Sequence, residues 1–384
     1  MDIGSLPASG VPTQWRPEGC DHVAMVLQGG GALGAYQAGV YQALHEAGLE
    51  PDWIAGVSIG GINGAIIAGN RPEHRLDRLR DFWNLVTSRP DWPFPLDGDD
   101  ARKLHNGWSS WLTVALGQPG FFSPRTPNPW LAPRGGRGAT SFYDTAPLRE
   151  TLLRLIDFDL LNRRAVRYAC GAVNVASGNF AYFDNTATEM LPEHIMASGA
   201  LPPGLPMVRV GTDWYWDGGI VSNTPLQHLI DHVGDDNALV FQVDLFSARG
   251  PIPRDMAEVL GREKDIRYSS RTRLTTDRYL QTCRLERQVR SLLARVPDAA
   301  LTAQERALRE KLRTLPRLSI LQMIYQQRVY EGETKDYDFS ATSMRRHWLA
   351  GYRDTERTLR HPDWLAMPAE EGGMAVHDIH RIDD

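Results

Sequence analysis

A serine stands in a pattern that places a nucleophile at a sharp turn between a strand and a helix. Residues 56–60 read GVSIG, with Ser58 at the centre and Gly56 and Gly60 on either side. An apolar run precedes this segment, and a run of small residues follows it. Such a turn exposes the serine hydroxyl, and the N-terminus of the following helix stabilises negative charge near its oxygen. Ser58 is therefore predicted to be a catalytic nucleophile.

A second glycine-rich segment follows an apolar strand pattern at residues 23–28. It contains Gly29, Gly30, Gly31 and Gly34, and it leads into a predicted helix. Backbone N–H groups in such a loop can bind an anion, which allows two interpretations. The spacing fits a dinucleotide site, but that site needs an acidic residue at the end of the next strand, where this chain has the serine turn. The favoured alternative is an oxyanion hole.

A third segment consists of Asp217, Gly218 and Gly219 at the end of a predicted strand. Taken alone, an aspartate before two glycines is typical of a simple turn. With the other two segments, in this order along the chain, it resembles the patatin-like phospholipase family. The small-residue and proline pattern at 197–203 adds to the resemblance, which spans roughly residues 22–245.

The resemblance carries expectations about the site and the reaction. In this family a Ser–Asp dyad replaces the Ser–His–Asp triad. The resemblance implies that Ser58 is the nucleophile, that Asp217 is the general base, and that Gly29, Gly30 and Gly31 form the oxyanion hole. It implies cleavage of carboxylic esters of lipids through an acyl-enzyme, with phospholipid, lysophospholipid or acylglycerol as substrate. No metal or organic cofactor is needed for that chemistry.

Leu33 departs from the family pattern, because many members carry a basic residue before the last glycine of the loop. The leucine is expected to pack beneath the loop. If the basic residue normally binds phosphate head groups, its replacement weakens the case for phospholipid. The case for ester hydrolysis is unaffected.

Some histidines are candidates for triad members or metal ligands. His228 and His232 are four residues apart on a predicted helix, but the glutamate of a zinc-binding helix is missing between them, so a polar helix face is favoured. His377 and His380 lie in a tail with glycine and aspartate, which is predicted to be mobile rather than catalytic.

Composition excludes several classes of protein. The formal net charge of the 384-residue chain is -5, so there is no basic footprint for nucleic acid. The three cysteines are odd in number and far apart, which is typical of a reducing compartment. No apolar run approaches the ~20 residues that span a bilayer. We expect a cytoplasmic enzyme, either soluble or peripheral to the inner face of the membrane.

The order of patterns predicts the domain organisation. Residues 1–20, rich in Pro, Gly and Ser, are predicted to be a disordered arm. Strand and helix patterns alternate over 21–246, which predicts an α/β catalytic domain with a mainly parallel sheet between helical layers. Within it, 88–140 loses periodicity and is rich in aromatic residues, Pro and Gly. This insertion, which includes Trp92, Phe94, Trp108 and Trp111, is either a lid or acyl-site wall over Ser58 or a surface excursion.

The C-terminal part has a different character. Residues 247–366 are predicted to be mostly helical, with a strand at 319–324, and 367–384 to form a tail. The region resembles one carried by a bacterial branch of the family. Basic residues outnumber acidic ones within it, and the arginines of its helices are either solvated, bound to anionic lipid or bound to an acidic partner.

Other functions stay open at this point. A nucleotide-binding regulatory protein would use the first glycine-rich loop, and a catalytically silent lipid-binding module would keep the serine turn without turnover. Oligomeric hydroxyacid esters are a further substrate class. The oligomeric state is not indicated by any pattern.

Overall fold

The computed structural model describes residues 14–90, 98–136, 138–328 and 330–381. Most of the predicted N-terminal arm, Trp92 and Phe94 of the insertion, and the last three residues of the tail lie outside these ranges. The strands are β1 (His22–Leu27), β2 (Trp53–Val57), β3 (Ser123–Pro124), β4 (Tyr143–Asp144), β5 (Arg167–Asn174), β6 (Phe180–Asp184), β7 (Val208–Val210), β8 (Asp213–Asp217), β9 (Ala238–Asp244), β10 (Leu318–Ile324) and β11 (Met374–Asp378).

Helices follow most of these strands. They are α1 (Ala35–Glu46), α2 (Ile59–Ala68), α3 (Pro72–Val86), α4 (Asp99–Leu116), α5 (Ala146–Leu155), α6 (Phe158–Asn162), α7 (Pro192–Ser198), α8 (Leu226–His232), α9 (Met256–Tyr268), α10 (Thr272–Leu293), α11 (Ala303–Lys311), α12 (Ala341–Leu359) and α13 (Pro362–Leu365). Short 3-10 helices lie at Gly31–Gly34, Gly218–Ile220 and Lys335–Tyr337.

One mixed sheet organises the described part of the chain. Its order is β11-β10-β9-β1-β2-β5-β8-β7, and β6 also pairs with β5. The strands from β11 to β5 pair in parallel, whereas β6, β7 and β8 pair antiparallel to their neighbours. Alternating strand and helix segments favour parallel pairing, because each helix returns the chain to the end of the sheet at which the previous strand began.

Two apolar cores cover the two faces of the sheet. In β1, Met25 and Leu27 belong to a core with helices α1, α2, α3 and α12, whereas Ala24 and Val26 belong to a core with α8. Successive side chains of a strand point to opposite faces, so a strand buried on both faces is apolar throughout. The predicted three-layer fold with a mainly parallel central sheet is confirmed.

The C-terminal region is mostly helical, as predicted, and it is also continuous with the main sheet. The predicted strand at 319–324 is β10, which pairs along its whole length with β9. The backbones of α12 and α1 are in close contact at two glycines. A Cβ at Gly39 would overlap the Trp348 carbonyl oxygen, and a Cβ at Gly351 would overlap the Tyr36 carbonyl oxygen. The region therefore completes one edge and one helical layer of the fold.

Two local expectations are wrong. The insertion is not irregular throughout, because α4 occupies 18 of its residues. The segment around His377 is not a free tail, because this residue lies on β11, which pairs with β10, and its ring stacks on Trp364. Both errors have the same cause. The local sequence patterns of α4 and β11 are weak, and contacts with residues distant in the sequence stabilise these two elements.

Two further observations concern the membrane and the cysteines. In the described ranges, no helix is both long enough and apolar enough to cross a membrane. Cys20, Cys170 and Cys283 are free thiols.

Candidate active site

Ser58 occupies the sharp turn that the sequence predicts. It follows β2 directly and caps α2, and its backbone angles are φ 55 and ψ -124. A positive φ is strained for a residue with a Cβ and is characteristic of a serine held at such a turn. The flanking glycines are required by close packing, since a Cβ at Gly56 would overlap Gly60 and a Cβ at Gly60 would overlap the Leu27 carbonyl. The turn therefore presents the Ser58 side chain at the N-terminus of α2.

Strand β5 brings Asp217 to this turn. Gly171 of β5 pairs with Val57, the residue before Ser58, and the next residue, Ala172, pairs with Asp217. Gly218 lies so close to the Gly171 carbonyl that it has no room for a side chain. The register of one strand thus places the ends of β2 and β8 side by side.

The Asp217 carboxylate is buried and hydrogen-bonded. Its Oδ1 accepts from the Gly219 N–H at 2.7 Å, and the Ser58 side chain beside it helps to stabilise its negative charge. Burial raises the pKa of Asp217 to about 6, although the hydrogen bonds from Ser58 and Gly219 act in the opposite direction. Such a carboxylate is ionised at neutral pH and accepts a proton more readily than an exposed one.

The first glycine-rich loop lies against the serine turn. The Gly29 N–H donates to the Asn223 carbonyl oxygen at 3.3 Å, so this amide is already engaged within the protein. Gly31 has φ +54, and a Cβ there would overlap the Asp336 carbonyl oxygen. Leu33 is fully buried, in agreement with packing beneath the loop. Of the three predicted donors, Gly30 and Gly31 are therefore the better candidates for an oxyanion hole.

A buried glutamine that sequence reasoning missed holds the loop in place. The Gln28 side chain is fully buried, and its Nε2 donates to Thr224 Oγ1 and to the Tyr268 carbonyl oxygen at 2.8 and 2.9 Å. Its Oε1 accepts from the N–H groups of Leu245 and Phe246. A polar residue at the end of an otherwise apolar strand was the available signal, since such a residue must find partners when buried.

Asn223 links the same segments from the other side. Its Nδ2 donates to the Gly29 carbonyl oxygen at 3.1 Å and to the Tyr268 carbonyl oxygen at 3.0 Å. The loops that carry Gly29 and Asp217 are therefore joined to each other and to the end of α9. This arrangement fixes both loops against a residue of the C-terminal region.

A cavity of about 170 Å³ opens above these groups. Ser58, Asp217 and the three glycines of the first loop line one side of it. Phe121 and Phe122 from the insertion, with Tyr143, form an aromatic wall. The cavity is therefore suited to an apolar chain next to a polar reaction centre.

The C-terminal region provides the remaining wall. Its contribution consists of Lys264, Tyr268, Asp336, Tyr337 and Phe339. Lys264 Nζ is ion-paired with Asp336 Oδ1 at 2.5 Å and lies over the Tyr337 ring. Burial raises the pKa of the Asp336 carboxyl. No sequence pattern connected these residues with the serine, which is more than 200 positions earlier in the chain.

The predicted site residues fall into two groups. Those that line the cavity are Ser58, Asp217, Gly219, Gly29, Gly30 and Gly31. The others, Gly34, Gly56, Gly60 and Gly218, pack behind them with no space for a side chain. The structure therefore brings together the three segments that the sequence places far apart.

The histidines lie elsewhere. None of the described residues that line the cavity is a histidine. The prediction of a polar helix face at His228 is wrong, because this side chain is buried, stacks on Tyr182, and approaches Asp184 Oδ2 at 3.2 Å. Within the described ranges, no cluster of three or more His, Cys, Asp or Glu side chains could hold a metal ion.

Comparison with known families agrees with this arrangement. The sequence model described as Patatin-like phospholipase matches residues 25–230, which include the serine turn, the glycine-rich loop and Asp217. The chain belongs to the patatin-like phospholipase family. A second model, described as Patatin phospholipase, matches residues 266–371 in the C-terminal region.

Curated relatives match a short part of the patatin-like chain. Lysophospholipase nte1 of Aspergillus terreus is 56% identical over 76 residues, 20% of this chain and 5% of that protein. Patatin-like phospholipase domain-containing protein 6 of Mus musculus is 43% identical over 67 residues, 17% of this chain and 5% of that protein. The matched segments thus span about a twentieth of these relatives.

Two solved bacterial structures align with this chain at low similarity. VipD from Legionella pneumophila has a TM-score of 0.39 at 14% identity, covering 93% of this chain and 72% of that chain. The type III effector protein ExoU has a TM-score of 0.29 at 15% identity, covering 93% of this chain and 55% of that chain.

Gly31→Ala provides a test of the glycine-rich loop. We expect kcat to fall on the order of 100-fold, since a misdirected oxyanion donor costs ~3 kcal/mol in the transition state, while KM changes little. The measurement is steady-state hydrolysis of a soluble ester. Gly178→Ala is the matched control, because Gly178 also has a positive φ, +71, but no heavy atom near its Cβ position. A rise in KM with kcat retained would instead indicate that the loop binds substrate.

Proposed function

We propose that this chain is a serine acyl hydrolase that cleaves carboxylic esters of lipids by a dyad of Ser58 and Asp217. The observation that carries the proposal is the buried Asp217 carboxylate, which lies next to the Ser58 side chain in the wall of an aromatic cavity. Membership of the patatin-like phospholipase family supports the lipid ester as substrate.

Acylation uses the dyad directly. Asp217 takes the Ser58 hydroxyl proton as Ser58 Oγ forms a bond to the ester carbonyl carbon. The N–H groups of Gly30 and Gly31 hold the negative oxygen of the tetrahedral intermediate. The carbon–oxygen bond to the alcohol then breaks, and the leaving oxygen takes the proton from Asp217. The products of this half-reaction are the alcohol and an acyl ester on Ser58.

Deacylation reverses the roles of serine and alcohol. Asp217 removes a proton from water, whose oxygen attacks the acyl carbonyl carbon. The same amides hold the oxyanion until the bond to Ser58 Oγ breaks. Ser58 regains its proton from Asp217, and the fatty acid leaves. Each turnover consumes one ester and one water and requires no cofactor.

Substrate choice is set by the walls of the cavity. The aromatic wall of Phe121, Phe122 and Tyr143 suits an acyl chain. The cation opposite, Lys264, is already paired with Asp336. A phospholipid, a lysophospholipid and an acylglycerol all fit this description. A head-group and chain-length series of esters, measured as kcat/KM, distinguishes them.

Two other functions make different predictions. A nucleotide-binding protein would need open space beside the glycine-rich loop for an anion, but a Cβ at Gly31 would already overlap the Asp336 backbone carbonyl oxygen. Nucleotide titration tests this alternative. A silent lipid-binding module would leave Ser58 unreactive towards a fluorophosphonate probe, so covalent labelling of Ser58 separates it from an active enzyme. Cytoplasmic localisation stays a prediction.

The acid limb of the pH profile gives a prediction from Asp217. Because Asp217 acts as a base only when deprotonated, kcat/KM on an uncharged soluble ester should rise with pH through an apparent pKa near 6, the value that burial gives this carboxyl. Asp244 is a matched control, since burial also raises the pKa of Asp244 to about 6. The acid limb should persist in Asp244→Asn. Its disappearance in that variant would show that the limb reports Asp244 and not Asp217.

A further inference from the structure

Helix α4 has its polar and apolar faces reversed relative to an ordinary surface helix. Asn106, Ser110 and Thr113 are buried polar residues on its inner side. On the outer side, Leu104 is 73% exposed and Trp111 is 57% exposed. The outer apolar face also includes Val114, Leu116 and the half-exposed Trp108, whose ring stacks on Trp111.

Hydrogen bonds on the inner side fix this orientation. Ser110 Oγ donates to the Thr334 carbonyl oxygen at 3.2 Å, and Thr113 Oγ1 donates to Gln118 Oε1 at 3.3 Å. The Arg89 guanidinium donates to the Leu116 carbonyl oxygen at 2.8 Å and so satisfies the last turn of the helix. Rotation of α4 to bury its apolar face would break these bonds and leave buried polar groups unpaired.

An outward apolar face of this kind marks a surface that meets an apolar partner. A helix against water keeps its apolar stripe towards the core, and a helix that lies at a membrane interface directs the stripe into the lipid. Tryptophan is favoured at that depth, because its ring is apolar and its N–H reaches the polar layer. The pattern of α4 is that of an interfacial helix.

We propose that the outer face of α4 docks the protein on a lipid surface, with Leu104, Trp111 and Val114 entering the outer acyl layer. The proposal rests on the proposed function, because a lipid ester substrate resides in such a surface. It adds a binding site that lies outside the catalytic cavity.

The docking face is continuous with the cavity. Tyr143, which lines the cavity, donates its hydroxyl to the Val114 carbonyl oxygen at 2.6 Å. A few residues after α4, Phe121 and Phe122 enter the aromatic wall. A lipid layer in contact with α4 therefore lies next to the elements that form the acyl side of the site.

A lipid surface fits this face better than a second copy of the chain. The exposed side chains of α4 offer on the order of 500 Å² of apolar area, and a stable protein interface buries ~800 Å² on each partner. Charge is expected to supply little of the attraction, because the side chains that enter the lipid, Leu104, Trp111 and Val114, are uncharged. Docking is thus expected on zwitterionic as well as anionic lipid.

The test measures vesicle binding without turnover. Ser58→Ala protein is sedimented with phosphatidylcholine vesicles at low and high salt, and compared with the same protein carrying Leu104→Ser and Trp111→Ser. The control pair is Leu285→Ser with Leu292→Ser, which changes two exposed leucines on α10. We expect at least tenfold weaker binding for the α4 pair, little change for the α10 pair, and binding that persists in high salt.

Several results would overturn the proposal. One is equal vesicle binding by both pairs, and another is binding that disappears at high salt. A lower thermal unfolding midpoint in the α4 pair alone would show that this face packs within the folded chain. Loss of a dimer in light scattering, without loss of vesicle binding, would assign the face to a second copy. Probe labelling of Ser58 in the unmodified chain reports on the proposed function separately.

Discussion

Replacing Ser58 by alanine should abolish ester hydrolysis and fluorophosphonate labelling without unfolding the protein. The loss in kcat should be on the order of 1000-fold or more, because only binding and oxyanion stabilisation remain when the nucleophile is removed. The measurements are turnover of a soluble ester and labelling followed by mass spectrometry. Alanine fits the turn sterically as serine does, so circular dichroism and the unfolding midpoint should stay close to those of the parent.

A matched serine variant makes this result specific. Ser177 lies in an exposed turn between β5 and β6 and does not line the cavity. Ser177→Ala should keep labelling and turnover at the parent level. Substantial turnover by purified Ser58→Ala protein would remove Ser58 from the reaction and with it the proposed mechanism.

Asp217→Asn should be nearly as damaging as the serine variant. The amide has the same shape and can still accept from the Gly219 N–H, but it cannot take the Ser58 proton. We therefore expect a loss in kcat approaching that of Ser58→Ala, with little change in stability, measured by the same assay and by thermal unfolding. Asp244→Asn changes another buried carboxyl and should lose much less.

Histidine variants separate the dyad from a triad. His232→Ala, His361→Ala, His377→Ala and His380→Ala should each cost less than about tenfold, because none of these residues lines the cavity. His228→Ala should act mainly on stability, since the buried ring is paired with Asp184. A single histidine whose removal equals the loss in Asp217→Asn would restore a triad.

The candidate catalytic segments can be recognised in the sequence because each is a short backbone motif. Ser58 is identified by the glycines two positions before and after it, which the turn requires for steric reasons. The loop at Gly29–Gly31 and the aspartate before Gly218 are likewise defined within a few residues. Their order along the chain predicted the family, and the alternation of strand and helix patterns predicted the α/β fold. Periodicity located most strands and helices for the same local reason.

The setting of those segments depends on contacts that the chain makes over long distances. The register of β5 decides that Asp217 meets Ser58, and Asn223 decides that the Gly29 amide is engaged. The wall formed by Lys264 and Asp336 comes from a region whose sequence carries no catalytic motif. The outward face of α4 follows from hydrogen bonds to distant partners. A local pattern fixes backbone shape, whereas pairing and burial depend on which segments meet in the folded protein.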